Sequence, residues 1–251
     1  MGNTINGLRF GKNPPKVDYR TLMFNKYVKE DIPEPPEEYD NLDKVFVNLL
    51  DRNVSFLFPM DANDELGDCT IAGAAHAITV YHGLIKQRDI PLEKEVIKVY
   101  NHLTGGVDSG LAMLDVLNYW RKTGMMNNKI LAFMRVNAHN HVHVKQAIKL
   151  FGGLFIGFQV HQECVQEFNE RKPWSLGHFI YSGHAVYVTG YDESTLNMLT
   201  WGSSQKGYWT WWDVAVDEAY AILPPEALEE GFAPGFDLAK LQDDLQEVAI
   251  I

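Results

Sequence analysis

The spacing of apolar residues changes character near the middle of the chain. Between residues 69 and 122, apolar side chains recur every three or four positions, which is the period of one helix face. This pattern predicts helices over residues 69–86, 92–103 and 111–122, the last of them capped by Asp108 or Ser109. A further helix is predicted over residues 40–51. The first half of the body is therefore expected to be helical.

After residue 129 the apolar runs become short and are separated by Gly, Asp and Ser, which is typical of strands. Strands are predicted at 129–136, 154–160, 183–191, 195–201, 208–212 and 218–223, with one helix at 142–151. The order predicts an α+β fold of two lobes. A helical lobe, about 60–128, precedes an antiparallel β-sheet lobe, about 129–223, and a site is expected in the cleft between them.

The two ends differ from the body at 33–223. Residues 1–32 hold few periodic apolar positions and much Pro, Lys and Glu, which predicts an extended N-terminal arm. Residues 224–251 are predicted to form a tail with an amphipathic helix at 236–248. The arm needs a surface on which to become ordered, so it either covers the cleft or wraps away from it. Because no processing signal separates it from the body, we predict that it wraps away and serves stability or an assembly partner.

The net charge and the cysteine content limit which partners and which cellular location are expected. The formal net charge of -11 disfavours nucleic acid and anionic membranes as partners. Only two cysteines occur, and the N-terminus lacks the apolar stretch of a signal peptide. No run approaches the length of a membrane span. A cytoplasmic location is expected, and a place in a virion is compatible with the same features.

Cys69 lies where a polar loop meets the first turn of the long predicted helix. Unpaired amides and the dipole at a helix start favour a negative charge, so we expect the pKa of this thiol to be lowered. A thiolate beside an imidazole is an activated nucleophile. The alternative is a small buried cysteine that only packs at a helix end.

The sequence Gly-Asp-Cys-Thr-Ile-Ala-Gly around Cys69 resembles the nucleophile motif of papain-like cysteine peptidases. In that family an amide six residues before the cysteine helps to bind the developing oxyanion, and this position is Asn63, with Asn in place of the usual Gln. The resemblance covers about residues 33–223 and implies a papain-like two-lobed fold. It is nearest to uncharacterised bacterial and phage proteins that share the Gly-Asp-Cys-Thr motif.

Gly183-His184-Ala185 and the following residues resemble the strand that carries the base in this family. The family's third catalytic residue is an Asn two residues before a Trp-Gly pair, but Leu199 occupies that place here. Counting from His184 instead leads to Thr200. The resemblance therefore leaves three alternatives: a Cys-His pair alone, Thr200 as third residue, or a backbone carbonyl in its place.

Three further residues resemble parts of the family's substrate cleft. Gly105 and Gly106 are similar to the glycine pair whose backbone binds extended substrate, and Trp201 is similar to the tryptophan that covers the base. Alternating histidines at 139, 141 and 143 are ascribed to a loop and a helix turn, so no metal site is predicted.

The resemblance implies a thiol-dependent hydrolase of peptide or amide bonds, similar to papain-like cysteine peptidases or amidases, and this is the function that we expect. Cys69 is the expected nucleophile, His184 the base, and Asn63 the oxyanion donor, with a peptide or protein as substrate and no cofactor. The alternative function is a non-catalytic papain-like scaffold that binds a partner or decorates a phage particle. Leu199 at the third position favours this alternative.

Overall fold

A computed structural model of the protein describes residues 3–225 and 233–249. The helices are α1 (Leu42–Leu49), α2 (Val54–Leu57), α3 (Cys69–Leu84), α4 (Glu93–Thr104), α5 (Met113–Lys122), α6 (His141–Phe151), α7 (Cys164–Asn169), α8 (Trp209–Ala215) and α9 (Leu238–Ala249). Five of them precede residue 129. The helical first half that the apolar spacing predicts is thus present.

The strands lie mostly in the second half of the chain. They are β1 (Asn3–Ile5), β2 (Leu8–Phe10), β3 (Leu22–Met23), β4 (Tyr39–Asp40), β5 (Ala132–Arg135), β6 (Leu154–His161), β7 (Phe179–Tyr191), β8 (Thr195–Thr200), β9 (Ser203–Tyr208) and β10 (Val216–Leu223). β1 and β2 form a separate hairpin. The others form one sheet in the order β3-β5-β10-β6-β7-β8-β9, with β4 paired to β7. Only β3 pairs in parallel, so the α+β prediction is confirmed.

Each face of this sheet packs on its own hydrophobic core. One core lies between the sheet and the buried helix α3, with Phe155, Tyr187 and Leu199 as sheet members. The other lies beneath α6 and α8 and includes Trp211 and Trp212. Strand alternation explains the division, because neighbouring residues of a strand point to opposite faces.

One sequence prediction of secondary structure is wrong. The aromatic run at 208–212 was expected to be a strand, but helix α8 begins at Trp209. Tyr208 ends β9, and the indole groups of Trp211 and Trp212 then lie buried on one side of α8. Aromatic residues favour strands as an average over many proteins, and burial of these two side chains overrides that preference here.

Both ends of the chain pack on the body. Phe24 and Tyr27 of the arm belong to the core under α6, and β3 adds to the edge of the sheet beside β5. The Tyr27 hydroxyl donates a hydrogen bond of 2.6 Å to Asp244 of α9. The arm therefore packs on the body of its own chain.

Candidate active site

Helix α3 begins at Cys69 and runs through the middle of the molecule. Almost every residue of its first three turns is buried. At Gly73 an added Cβ atom would lie 2.8 Å from Cε2 of Phe155 and 3.6 Å from the carbonyl oxygen of Ala185. The glycine thus lets α3 lie against β6 and β7. This contact sets Cys69 beside the strand that carries His184.

His184 lies on β7, and its Nε2 atom shares a hydrogen bond of 2.8 Å with the hydroxyl of Thr200 on β8. Leu199 is fully buried in the core on the α3 side. Since successive strand residues face opposite ways, Thr200 and not Leu199 reaches the imidazole. Of the three alternatives that the sequence left open for the third position, this contact favours Thr200.

Aromatic rings enclose the imidazole of His184. Trp201 stacks on it with ring centroids 4.4 Å apart and an angle of 22°, and Phe10 and Phe158 approach with their edges at 5.6 Å. Burial, aided by the nearby His76, lowers the pKa of His184 to about 3. The ring is therefore neutral. Among the described residues its Nδ1 atom has no hydrogen-bond partner.

Cys69 is buried and 1% exposed. Burial raises the pKa of its thiol to about 11, although backbone hydrogen bonds from Gly11 and Ala185 act in the opposite direction. The prediction of a lowered pKa is therefore wrong for this closed form. The helix start alone does not offset the loss of water around the sulfur. The bond from Ala185 also shows that the sulfur lies next to the residue after His184.

The cover over Cys69 is the N-terminal arm, so the prediction that the arm wraps away from the cleft is wrong. Residues 9–13, which we call the cleft segment, hydrogen-bond to both walls of the cleft. Lys12 N–H donates to the Gly183 carbonyl (3.1 Å), Leu111 N–H donates to the Gly11 carbonyl (2.9 Å), and Asn13 N–H donates to the Leu111 carbonyl (2.9 Å). The arm thus lies as an added strand in the cleft.

Gly11 is the point of closest approach. A Cβ atom at this position would lie 1.7 Å from the carbonyl oxygen of Gly67, two residues before Cys69. On the other side, a Cβ atom at Gly110 would lie 2.2 Å from the carbonyl oxygen of Gly11. Three glycines from distant parts of the sequence therefore make the close fit of the arm against the cleft floor.

The fold of this chain is shared by solved structures. Xylellain, a cysteine protease from Xylella fastidiosa, is similar over 89% of this chain and 99% of its own, with a TM-score of 0.66 and 19% identity. The chain has the papain-like fold.

Two further papain-like structures agree with this assignment. Procathepsin B S9 from Trypanosoma congolense is similar over 86% of both chains, with a TM-score of 0.55 and 12% identity. The cysteine protease and lectin-like domains of Cwp84, a surface layer associated protein of Clostridium difficile, give a TM-score of 0.51 at 13% identity, over 88% of this chain and 62% of that one. No family model and no curated protein matches the chain.

Gly105 and Gly106 do not occupy the place that the papain-like resemblance implies. They lie exposed where α4 ends, with no atom within 4 Å of an added Cβ atom. Leu111, preceded by Gly110, supplies the backbone that pairs with the cleft segment. The prediction of the glycine pair as the pairing backbone is therefore wrong. Positive φ angles at Gly105 and Gly106 show that both glycines serve the helix end.

Asp108 is likewise not the cap of α5, whose N-cap is Ala112. Its carboxylate accepts hydrogen bonds from Gly67 N–H (2.9 Å) and the Tyr100 hydroxyl (2.6 Å), and it forms an ion pair with Arg9 of the arm. Although partial burial acts to raise it, these bonds keep the pKa of Asp108 below its usual value. Asp108 therefore joins the arm to the loop before Cys69.

Asn63, the expected oxyanion donor, is buried in that loop. Its side-chain amide donates to the Leu66 carbonyl at 3.2 Å, and its main-chain carbonyl accepts a hydrogen bond from Arg9 N–H at 3.3 Å. Nearby, burial and then the charge of Asp61 raise the pKa of Asp68 to about 8, an effect that the Asn63 amide opposes. The residue before Cys69 is thus a carboxyl group that favours its protonated form.

Neither a metal group nor a membrane span is found in the described parts of the chain. Within residues 3–225 and 233–249, no three or more His, Cys, Asp and Glu side chains are grouped so that they could hold a metal ion. His141, one of the alternating histidines, instead contacts Asp213 at 2.6 Å. In the same residues no helix has the length and apolar character needed to cross a membrane.

Proposed function

We propose that this protein is a thiol-dependent hydrolase of peptide or amide bonds that is held closed by its own N-terminal arm. The observation that carries the proposal is the hydrogen bond between His184 and Thr200 beneath the stacked Trp201. The bond holds Nε2 of His184, while Nδ1 has no hydrogen-bond partner among the described residues. His184 lies on β7, whose next residue, Ala185, is close to the sulfur of Cys69. A base that is oriented by a third group is the arrangement that nucleophilic catalysis requires.

In the open enzyme Cys69 attacks the substrate carbonyl, and His184 takes the thiol proton and gives it to the amine that leaves as the C–N bond breaks. Water, deprotonated by His184, then cleaves the resulting thioester, which releases the acid and restores the thiol. Thr200 holds the imidazole in position. The backbone N–H of Cys69, at the start of α3, and the amide of Asn63 donate to the oxyanion. Each such donor contributes roughly 3 kcal/mol to transition-state stabilisation in enzymes of this kind. For this role the Asn63 amide must turn from Leu66 toward the cleft.

The closed form explains why both groups are in unreactive states. The pKa of Cys69 is raised to about 11 and that of His184 is lowered to about 3, so at neutral pH the pair is a thiol and a neutral imidazole. Both shifts follow mainly from burial, and the cleft segment supplies much of that burial. Displacement of the arm would bring water to Cys69 and move both pKa values toward their usual range.

A non-catalytic scaffold remains the second candidate, because a cleft filled by the protein's own chain is also what a binding protein would show. Leu199 at the family's third position favours it as well. The two candidates differ in how Cys69 behaves once the cleft is open. A hydrolase then cleaves peptides through Cys69, whereas a scaffold has only an ordinary thiol there.

The decisive experiment opens the cleft by Gly11→Val and then compares how replacement of Cys69 and replacement of Cys164 affect peptide cleavage. A peptide pool is incubated with this protein under reducing conditions, and new peptide termini are measured by mass spectrometry. Adding Cys69→Ser should lower cleavage by at least about 10³-fold, because a serine hydroxyl is a far weaker nucleophile in this setting. The matched control is Cys164→Ser, which changes the other buried cysteine.

Cleavage should be unaffected by Cys164→Ser. If the opened chain cleaves nothing while Cys69 is accessible to iodoacetamide, the scaffold candidate is correct. If cleavage survives Cys69→Ser, another residue is the nucleophile.

A further inference from the structure

The cleft segment places a lysine in a pocket lined by two carboxylates. The side chain of Lys12 is 1% exposed, and its Nζ atom lies 3.0 Å from Asp217 and 3.2 Å from Glu218. The Glu218 side chain is fully buried and also accepts a hydrogen bond of 2.9 Å from the Tyr220 hydroxyl. Lysine is rarely buried without such partners.

The pocket is also narrow enough to fit a long, unbranched side chain. A Cβ atom at Gly157 of β6 would lie 2.0 Å from Cε of Lys12 and 2.7 Å from the sulfur of Met113. The absence of a side chain at residue 157 therefore creates the slot in which the aliphatic part of the lysine lies. Its charged end reaches the two carboxylates beyond the slot.

The carboxylates make this pocket selective for a positive charge. Removing one partner of a buried ion pair is strongly unfavourable, because a buried charge is left uncompensated. Arg135 contacts the backbone carbonyl of Asp217 at 3.4 Å and not its carboxylate. When the arm leaves the cleft, the pocket therefore loses its cation, and a basic side chain from another peptide can replace it.

The backbone contacts show where this pocket lies relative to the reactive sulfur. Gly11 lies against Gly67, two residues before Cys69, and Lys12 is the next residue. The backbone bonds of the cleft segment to Gly183 and Leu111 do not depend on side-chain identity. Selectivity must therefore come from side chains of the segment, and that of Lys12 enters a charged pocket.

We propose that the pocket formed by Asp217, Glu218 and Gly157 selects substrates with a lysine-like basic side chain one residue away from the position over Cys69, and that Lys12 occupies it as a mimic of that residue. This proposal rests on the proposed hydrolase function. It names the class of substrate as peptides that run through the cleft in the direction opposite to the arm, with a basic residue immediately before the residue whose carbonyl is attacked.

The test uses three peptide electrophiles that modify the catalytic thiol and differ at one position. Each carries the reactive group on a C-terminal glycine, preceded by lysine, norleucine or glutamate. They are applied to full-length chains opened by Gly11→Val, and the rate of Cys69 modification is followed by intact mass. Lysine should react at least about tenfold faster than norleucine, and glutamate should react most slowly.

Adding Asp217→Asn and Glu218→Gln should bring the lysine and norleucine rates together. The matched control is Asp115→Asn, which removes the carboxylate partner of Lys16 on the surface of the same arm and should preserve the preference. If Gly11→Val does not fold, Lys12→Glu opens the cleft by charge repulsion from the same two carboxylates.

Equal rates for lysine and norleucine, or a preference that survives the double substitution, would overturn the pocket assignment and leave the hydrolase intact. Failure of the hydrolase gives a different result. In that case no electrophile, including iodoacetamide, modifies Cys69 of the opened chain at neutral pH faster than an ordinary thiol.

Discussion

Two helices of this protein begin with the same pair of residue types, an acid followed by a cysteine. Asp68 precedes Cys69 at the start of α3, and Glu163 precedes Cys164 at the start of α7. Both thiols are buried, and burial raises the pKa of Cys69 to about 11 and that of Cys164 to about 12. By local sequence and by pKa, the two sites are alike.

The residues around Cys69 differ from those around Cys164. Cys69 is covered by the arm and lies beside the strand of His184, whereas Cys164 is held in a core where the Trp174 indole donates to its carbonyl oxygen at 2.9 Å. His161, near Cys164 in sequence, is bound to Glu167 at 2.7 Å. A helix start therefore does not activate a thiol by itself. The two sites differ in their cover: the N-terminal arm lies over Cys69, whereas Cys164 lies in the core of the body.

The largest expected effect comes from removing the cover of one site only. Gly11→Val adds a side chain where even a Cβ atom would lie 1.7 Å from Gly67, so the cleft segment cannot stay in place. Modification of Cys69 by iodoacetamide should become roughly 10²-fold faster, since the thiolate fraction rises as the pKa of the thiol falls. Cys164 should remain unreactive. Peptide mapping after a short exposure measures both sites in one sample.

The control for this substitution is Lys16→Val, which places the same side chain on an exposed part of the arm. It should leave both rates unchanged. Equal acceleration at Cys69 and Cys164 would show that Gly11→Val loosens the whole fold, and the distinction between a removable and a fixed cover would be lost.

Local pattern was sufficient for much of this fold. The periodicity of α3, the Gly-Asp-Cys-Thr motif and the strand around His184 are all continuous in sequence. Counting from His184 to Thr200 also succeeded, because both residues lie on neighbouring antiparallel strands whose pairing fixes the distance.

What the sequence could not predict depends on contacts between distant residues. Lys12 meets Asp217 across 205 positions, and the fit of Gly11 requires both Gly67 and Gly110. None of these residues has a local pattern that marks it. The raised pKa of Cys69 escaped prediction for the same reason, since it follows from the burial that the arm provides.

Asp68 and Glu163, the acids that precede the two cysteines, should change the free energy of unfolding with pH in opposite directions. The pKa of Asp68 is raised to about 8, so the closed form favours the protonated group and loses stability as pH rises from about 4 to 8. The slope for one such group approaches ~1.4 kcal/mol per pH unit. Asp68→Asn should flatten this loss, as measured by urea unfolding at several pH values.

Glu163 is the matched control, because its pKa is shifted the other way. Partial burial acts to raise it, but hydrogen bonds from its own backbone and from His178 hold the pKa of Glu163 below its usual value. Its contribution is present above the usual pKa of glutamate and is lost in acid, so Glu163→Gln should lower stability above that pKa and change little at low pH. A similar pH response in both variants would contradict the assignment of opposite environments.

The smallest effect concerns the hydroxyl that contacts the imidazole of His184. In the opened chain, Thr200→Val removes the hydroxyl that lies 2.8 Å from Nε2 of His184, and peptide cleavage should fall about tenfold because the base is no longer held in one orientation. Thr200→Ser keeps the hydroxyl and should restore most of the rate. The control is Thr189→Val on the same strand as His184, since Thr189 is equally buried and its hydroxyl has no hydrogen-bond partner among the described residues. A cleavage rate that falls equally in both valine variants would mean that β7 and β8 are merely sensitive to repacking, and that Thr200 does not orient the base.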